Sequence, residues 1–348
     1  MGIVTLSLPE VKQKTKIRPQ KCPRCQGETF QRWGDTKKRV KDNRKRTVTV
    51  YRYRCCHCRR TFRYYPEGVD RATQTLRMRK LAVILWVLGL SLRGVCVALS
   101  AFGVQLSHMS VWRDIQEHAE LTRKRLSRQT VRVLGVDGLY PLGWGKKQPV
   151  IVAVDLGTGR PVMVGQVDEA NPQALRRFLE PLIKDLGVSV IVSDDLNSYR
   201  KVAEKLGVEH QICQFHVRRW VGRALRELQE TVPDEWLWVL DEIKRLLAEL
   251  PEHGSRRLFE LWKQIPERRT GQRGERSPLE QLRNLLIRLS EHWLSYRVFD
   301  WDRDVPWTNN GTEQAIGFMK MRARTVRGYK SWQGMQAGLL LSGLRLAF

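Results

Sequence analysis

Apolar residues return along this chain in two rhythms. Between about residues 70 and 128 they fall at helical spacing. One helix is predicted from Leu76 to Leu88. Ser91 caps "LRGVCVALSAFG", which stops at Gly103, and Ser107 caps "HMSVWRDIQEHA", with Val111 and Ile115 facing inward. From about 131 onward, β-branched runs alternate with helical stretches, as in α/β folds. "TVRVLGVDG" predicts a strand ending at Asp137, "PVIVAVDLGTGRPVMVGQV" a hairpin, "PQALRRFLEPLIKDLG" an amphipathic helix, and "VSVIVSDD" the next strand. After His216 the pattern turns helical until about Pro306. Seven of the twelve tryptophans fall in 217–307, where most are expected in a core. A last helix is predicted from Asn309 or Asn310 to Gly328.

Charge narrows the class. The chain has 348 residues, a formal net charge of +26 and 42% hydrophobic residues, so it is globular and long enough for two or three domains. Such a positive excess implies a polyanionic partner, above all nucleic acid. The longest apolar stretch, "LAVILWVLGLSL", is shorter than the ~20 residues a membrane-spanning helix needs. The first residues lack the order of a signal peptide. The expectation is a cytoplasmic, nucleoid-associated protein with no membrane partner.

Cysteine spacing adds a metal site. Cys22/Cys25 and Cys55/Cys58 are two C-x2-C pairs, with the alternating "TVTVYRYR" leading into the second. Each pair sets two thiolates on one turn, and together they make a tetrahedral zinc site with Zn–S near ~2.3 Å. Such a zinc ribbon is too small to bury its own core, so metal replaces packing. Behind it, the helix, Gly-containing turn and capped helix have the spacing of a helix-turn-helix, which aims His108, Met109, Ser110 and Arg113 at a major groove. A three-helix bundle without DNA contact has the same pattern.

The acids carry the chemistry. Asp137 and the Asp194–Asp195 pair end predicted strands, and Glu313 opens a helix on which Gly317, Lys320 and Arg324 share its face. A carboxylate followed by a basic stripe suits a helix lying along a phosphodiester backbone. Asp155 sits at the mouth of the "DLGTGR" turn, where aspartate commonly bonds to backbone, and Asp168 leads into a helix with Glu169 and reads as loop or cap. Neighbours on a strand point to opposite faces, so pattern alone does not choose between Asp194 and Asp195. Cys213 and His216 read equally as a lone thiol with a packed imidazole or as neighbours of the acids. The arginines of "ERRTGQRGERSP" (267–278) belong to an exposed loop that can touch DNA.

The order β-β-β-α-β is that of the ribonuclease H-like fold, which gathers acids from strand ends around two divalent cations. Asp137, "SDDLNSY", "CQFHVRRW" and "NNGTEQAIGFMKMRAR", in that order, resemble insertion-sequence transposases of the DDE class, in particular the Mutator-like group with a C-x2-H element after the second acid. The resemblance implies Asp137, Asp194 and Glu313 as catalytic ligands of two Mg2+ or Mn2+ ions. It also implies Cys213 and His216 as the C-x2-H pair, and it favours Asp194, leaving Asp195 to cap the next helix or tune the site. The implied layout is a multidomain α/β protein: a zinc ribbon at 1–66, a helix-turn-helix domain at 67–128, a ribonuclease H-like core at 129–216 and 306–348, and an all-α insertion at 217–305. The implied activity is metal-dependent cleavage at transposon ends followed by attack of the freed 3′-OH on target DNA. The partners are double-stranded DNA and further copies of the chain, as a dimer or larger assembly. A catalytically inactive DNA-binding regulator and a ribonuclease H-like nuclease are the rival readings.

Overall fold

The computed structural model describes residues 7–13, 18–267 and 276–346. The central arginines of the 267–278 loop lie outside them. By contact the chain forms two compact units, Met1–Thr122 with Met321–Phe348, and Arg123–Lys320.

The first unit begins with an antiparallel meander of β1 (Phe30–Arg39), β2 (Thr47–Cys55) and β3 (Thr61–Tyr64). Along β2, Val48 and Val50 are buried on one face and Tyr51, Tyr53 and Cys55 on the other, while Arg52 is exposed. Then come α1 (Leu76–Val87), α2 (Leu92–Ala101) and α3 (His108–Leu126). The predicted caps are in place: Gly94 N donates to Ser91 Oγ at 3.0 Å and Ser110 N to Ser107 Oγ at 3.1 Å. Gly103, at φ +75, turns the chain between α2 and α3, where a side chain would be strained. Val111 and Ile115 are fully buried, as the spacing predicts.

The sequence pattern does not announce where the C-terminal helix goes. α12 (Trp332–Gly343) buries Ala337 and Leu341 in one cluster with Met78, Val83, Trp86 and Leu99. Residues 321–348 therefore group with the three helices of this unit and not with the α/β core in which they were expected. α12 is apolar on nearly every side, so its pattern marks burial without naming a partner.

The second unit is mixed α/β. β4 (Val133–Leu139) is followed by a small hairpin, β5 (Leu142–Gly143) and β6 (Lys146–Lys147), then β7 (Val150–Asp155) and β8 (Arg160–Gly165). α4 (Pro172–Leu186) crosses over to β9 (Val190–Ser193), and α5 (Asn197–Leu206) to β10 (Glu209–Ile212). The strand order is β10-β9-β4-β7-β8, with β4, β9 and β10 parallel and β7 and β8 antiparallel to their neighbours. α4 shows why the crossover is helical. Asn171 Oδ1 accepts from Gln173 N and Ala174 N at 3.1 Å, Pro172 opens the first turn, and left-handed Gly187 closes the last. Leu175, Leu179, Leu182, Ile183 and Leu186 form its buried stripe. Every residue of β9 is buried, as a parallel strand covered on both faces requires.

After β10 the chain is helical: α6 (Gln214–Gln229), α7 (Leu237–Glu249), α8 (Gly254–Gln264), α9 (Pro278–Glu291) and the short α10 (Val298–Trp301). Leu225, Val239, Leu258, Leu286 and Trp293 share their core, with Trp220, Trp236 and Trp262 packed against it. Trp238, Trp301 and Trp307 are exposed. α11 (Asn310–Thr325) follows. No helix among the described residues is long and apolar enough to cross a membrane.

Candidate active site and metal sites

The four thiols of the meander converge. Cys22 Sγ lies 3.8 Å from Cys58 Sγ, and Cys25 Sγ 3.5 Å from Cys55 Sγ. Thiolates ~2.3 Å from one tetrahedral ion sit about 3.8 Å apart, so the set fits zinc. The residue after each second cysteine, Gln26 and Arg59, adopts a left-handed conformation at φ 60 and 59, which gives the two turns the same shape. Backbone N–H groups of Cys25 and Cys58 draw the thiols of Cys22 and Cys55 toward the thiolate. The described cysteines form no disulfide.

In the second unit, four elements bring the predicted acids together. Asp137 lies inside β4, paired with Val152, two residues before the strand ends. Asp194 directly follows β9. His216 is in the first turn of α6 behind its cap residue Cys213, and Glu313 is in the first turn of α11. The start of α11 is seated by three contacts. Asn309 Nδ2 donates to Val136 O at 3.0 Å, Asn309 N to Cys213 Sγ at 3.3 Å, and Gln214 N to Trp307 O at 3.0 Å. Gly135 makes this approach possible: a Cβ there would fall 2.1 Å from Thr312 Oγ1 and 2.7 Å from Asn309 Oδ1.

His216 Nε2 is 3.6 Å from Glu313 Oε1, and Cys213, His216 and Glu313 each offer a ligand atom within 4.8 Å of the others. Asp137 and Asp194 stand within electrostatic reach of His216 and of one another, but outside that tight grouping. Burial, joined by the charge of Glu169, pushes Asp137 up to about 6 and Asp194 up to about 7. The Cys213 sulfur beside it, with Glu313 and Asp194, pushes His216 up to about 8. Asp194 Oδ1 and Glu313 Oε1 are buried without a hydrogen-bond partner. Hard carboxylate oxygens left unsatisfied in this way fit a divalent cation such as Mg2+ or Mn2+.

The structure separates Asp194 from Asp195. Asp195 Oδ2 accepts from Arg288 Nη2 at 2.6 Å, and Arg288 lies 4.3 Å over the Trp220 ring. Asp195 thus ties β9 to α9 and does not cap α5, whose cap position is Leu196 with no side-chain bond. Asp155 and Asp168 accept from their own turns, at Gly157 N and Ala170 N.

One acid escaped the sequence reading. Glu169, placed there in a loop beside Asp168, accepts from Tyr140 Oη at 3.3 Å and from the buried Tyr199 at 3.2 Å. A Cβ at Gly138 would fall 2.3–2.5 Å from its carboxylate, so Glu169 lies over the residue next to Asp137. Only the fold brings it there, and no local pattern marks it.

Of the residues predicted to touch DNA, His108, Arg113, Lys320 and Arg324 are exposed. The Ser110 hydroxyl is half-buried and lies 3.0 Å from that of Ser107.

Residues 171–337 match the family model described as Transposase IS66 family. The match takes in Asp194, the C-x2-H pair and Glu313 and begins after Asp137. A curated relative, the insertion element ISM1 uncharacterized 48.3 kDa protein of Methanobrevibacter smithii, is 22% identical over 213 residues. Both support a transposase. That alignment covers 59% of this chain and 53% of the relative, so the chain spans about half the relative's length. Among solved structures, the Drosophila P element transposase strand transfer complex aligns over 78% of this chain and 93% of its own, at 10% identity and a TM-score of 0.45.

Proposed function

We propose that the chain is a DNA transposase of the DDE class, with Asp137, Asp194 and Glu313 as its acidic triad. The observation that carries this reading is the seating of α11 on β4, which delivers Glu313 to the His216 side of the Asp137 and Asp194 carboxylates. The sheet order, with a meander of β4, β7 and β8 extended by parallel β9 and β10, supports a ribonuclease H-like core. The helices between α6 and α10 are then an insertion before the last acid.

Divalent cations held there would activate the attacking oxygen and stabilise the leaving one. The residues of the chain do the rest. Asp137 and Asp194 are half-buried within electrostatic reach of one another and must lose their protons to hold cations. His216, pushed up to about 8 beside Cys213 and Glu313, can donate a hydrogen bond to a phosphate oxygen there. Lys320 and Arg324, exposed on the helix that carries Glu313, suit the DNA backbone. The four-cysteine meander is read as a zinc ribbon, and α1 to α3 as a helix-turn-helix that presents His108, Ser110 and Arg113 to transposon ends. The substrates are transposon-end and target DNA. Bringing two ends together calls for a dimer or larger assembly.

Strand transfer on a labelled transposon end with Mg2+ or Mn2+ tests the reading. Asp137→Asn, Asp194→Asn and Glu313→Gln are each expected to abolish product while leaving DNA affinity unchanged. Full activity of Asp194→Asn would remove that residue from the triad.

A further inference from the structure

The grouping of Cys213, His216 and Glu313 differs in chemistry from the acidic triad with which it shares one member. It offers a sulfur, a nitrogen and an oxygen, all within 4.8 Å of one another. Mg2+ calls for oxygen ligands throughout, whereas thiolate and imidazole suit Zn2+ and related ions.

The geometry is close to that of a loaded site. Two N/O donors held ~2.0–2.1 Å from a tetrahedral ion stand about 3.4 Å apart; His216 Nε2 and Glu313 Oε1 are 3.6 Å apart. Cys213 and His216 occupy the cap and first turn of α6, at a spacing that turns both side chains the same way. Asn309 N donates to Cys213 Sγ at 3.3 Å, a bond that a metal-bound thiolate retains. Glu313 Oε1 is buried with no hydrogen bond to give up. Three protein donors with a fourth position open is the pattern of an accessible zinc site.

We propose that Cys213, His216 and Glu313 bind one borderline transition-metal ion of the Zn2+ type, separate from the ion of the four-cysteine meander. Its functional consequence rests on the reading of Glu313 as the third acid. An ion held here engages Glu313 and withdraws it from Asp137 and Asp194. Transition metal and Mg2+ then oppose one another at the shared carboxylate, each weakening the other by the same factor.

The test is a Co2+ titration of the full chain whose four-cysteine site has first been filled with one equivalent of Zn2+. One further equivalent of Co2+ is expected, with the near-ultraviolet absorption of a thiolate bound to cobalt. Cys213→Ser should abolish that absorption. His216→Gln, at a half-buried position, should weaken Co2+ binding by about 10-fold or more. Asp137→Asn should retain both signals, and millimolar Mg2+ should raise the apparent Co2+ Kd. Far-UV circular dichroism checks that each variant folds. Absence of a second equivalent, or an absorption unchanged in both Cys213→Ser and His216→Gln, overturns the proposal. A Co2+ affinity indifferent to Mg2+ overturns the sharing of Glu313. If Glu313→Gln still transfers strands, the triad reading fails while the titration stands. If the titration fails while Asp137→Asn and Asp194→Asn are inactive, only this inference falls.

Discussion

Glu169 and Gly138 occupy the same space by agreement. The carboxylate lies where any larger residue at 138 would put its Cβ, held by the hydroxyls of Tyr140 and Tyr199. Its charge adds to the burial that keeps Asp137 and Asp194 reluctant to ionise, and once both have ionised it adds to the negative field that draws a dication. Glu169→Gln keeps the size and one acceptor oxygen but removes the charge. It should leave the fold intact and lower Mn2+ affinity about 10-fold or more, as measured by electron paramagnetic resonance. Gly138→Ala should mimic it by displacing the carboxylate, and should cause no further loss when residue 169 is alanine, because the obstacle is then gone. Unchanged Mn2+ affinity in Glu169→Gln would restrict Glu169 to bracing the two tyrosines. These residues also mark where the sequence stops being legible. Asp137 and Asp194 stand out because each follows a run of apolar strand residues, a local signal. Glu169 and the two glycines of β4 acquire their roles from contacts across the fold, and nothing adjacent to them in the chain records those contacts.

Elements carry the next level of the argument. α11 reaches β4 only because Gly135 has no side chain, and Asn309 then fastens the helix to the Val136 carbonyl. Gly135→Ala should lift the start of α11 and cost on the order of 1–3 kcal/mol of stability by overpacking. Strand transfer should fall far more than DNA binding. Equal losses in both would show that the substitution acts on folding alone. The meander of β1 to β3 is expected to depend on a metal at its four cysteines in the same way that α11 depends on a glycine. Its interior is a few valines and aromatics around Cys22 and Cys55. Removing zinc should therefore melt this segment first, seen as early amide exchange confined to residues 20–65. The metal-to-protein ratio should fall by one equivalent in the Cys22→Ser/Cys55→Ser variant. α1, α2 and the start of α3 were readable from spacing and serine caps to within two residues. The destination of α12 was not, since a helix apolar on nearly every side carries no direction in its pattern.

For the molecule as a whole, stability should depend on pH through two histidines outside the candidate site. Burial, aided by the charges of His292 and Arg200, lowers His210 to about 3. Burial, with Arg200 and Arg288, lowers His292 to about 4. The His210 ring lies 2.8 Å from Ser193 Oγ, one residue before Asp194, and the His292 ring faces the Arg200 guanidinium. In the unfolded chain both rings take a proton near pH 6.5. At these two rings the unfolded state binds more protons between about 6.5 and 4, so they withdraw stability as pH falls. Asp137 and Asp194, held at about 6 and about 7 in the fold, take up protons in the folded state and act with the opposite sign. Thermal unfolding from pH 7.5 to 4.5 should show the His210 contribution as a difference: relative to the native chain, His210→Gln should lose less stability, or gain more, as pH falls. An unchanged slope would place the acid sensitivity elsewhere.

The docking of α11 also sets a schedule. Asp137 and Glu313 are separated by 176 positions, and the contacts that seat α11 need Cys213, Val136 and Asn309 all present. A chain still being made, at roughly 5–20 residues per second, completes the four-cysteine meander and α1 to α3 before its third acid exists, but α12, which packs against those helices, only after it. A product truncated before residue 309 would hold two of the three proposed acids and nothing to seat the third. Premature termination then yields a chain that lacks both the third acid and the α12 packing of its first unit.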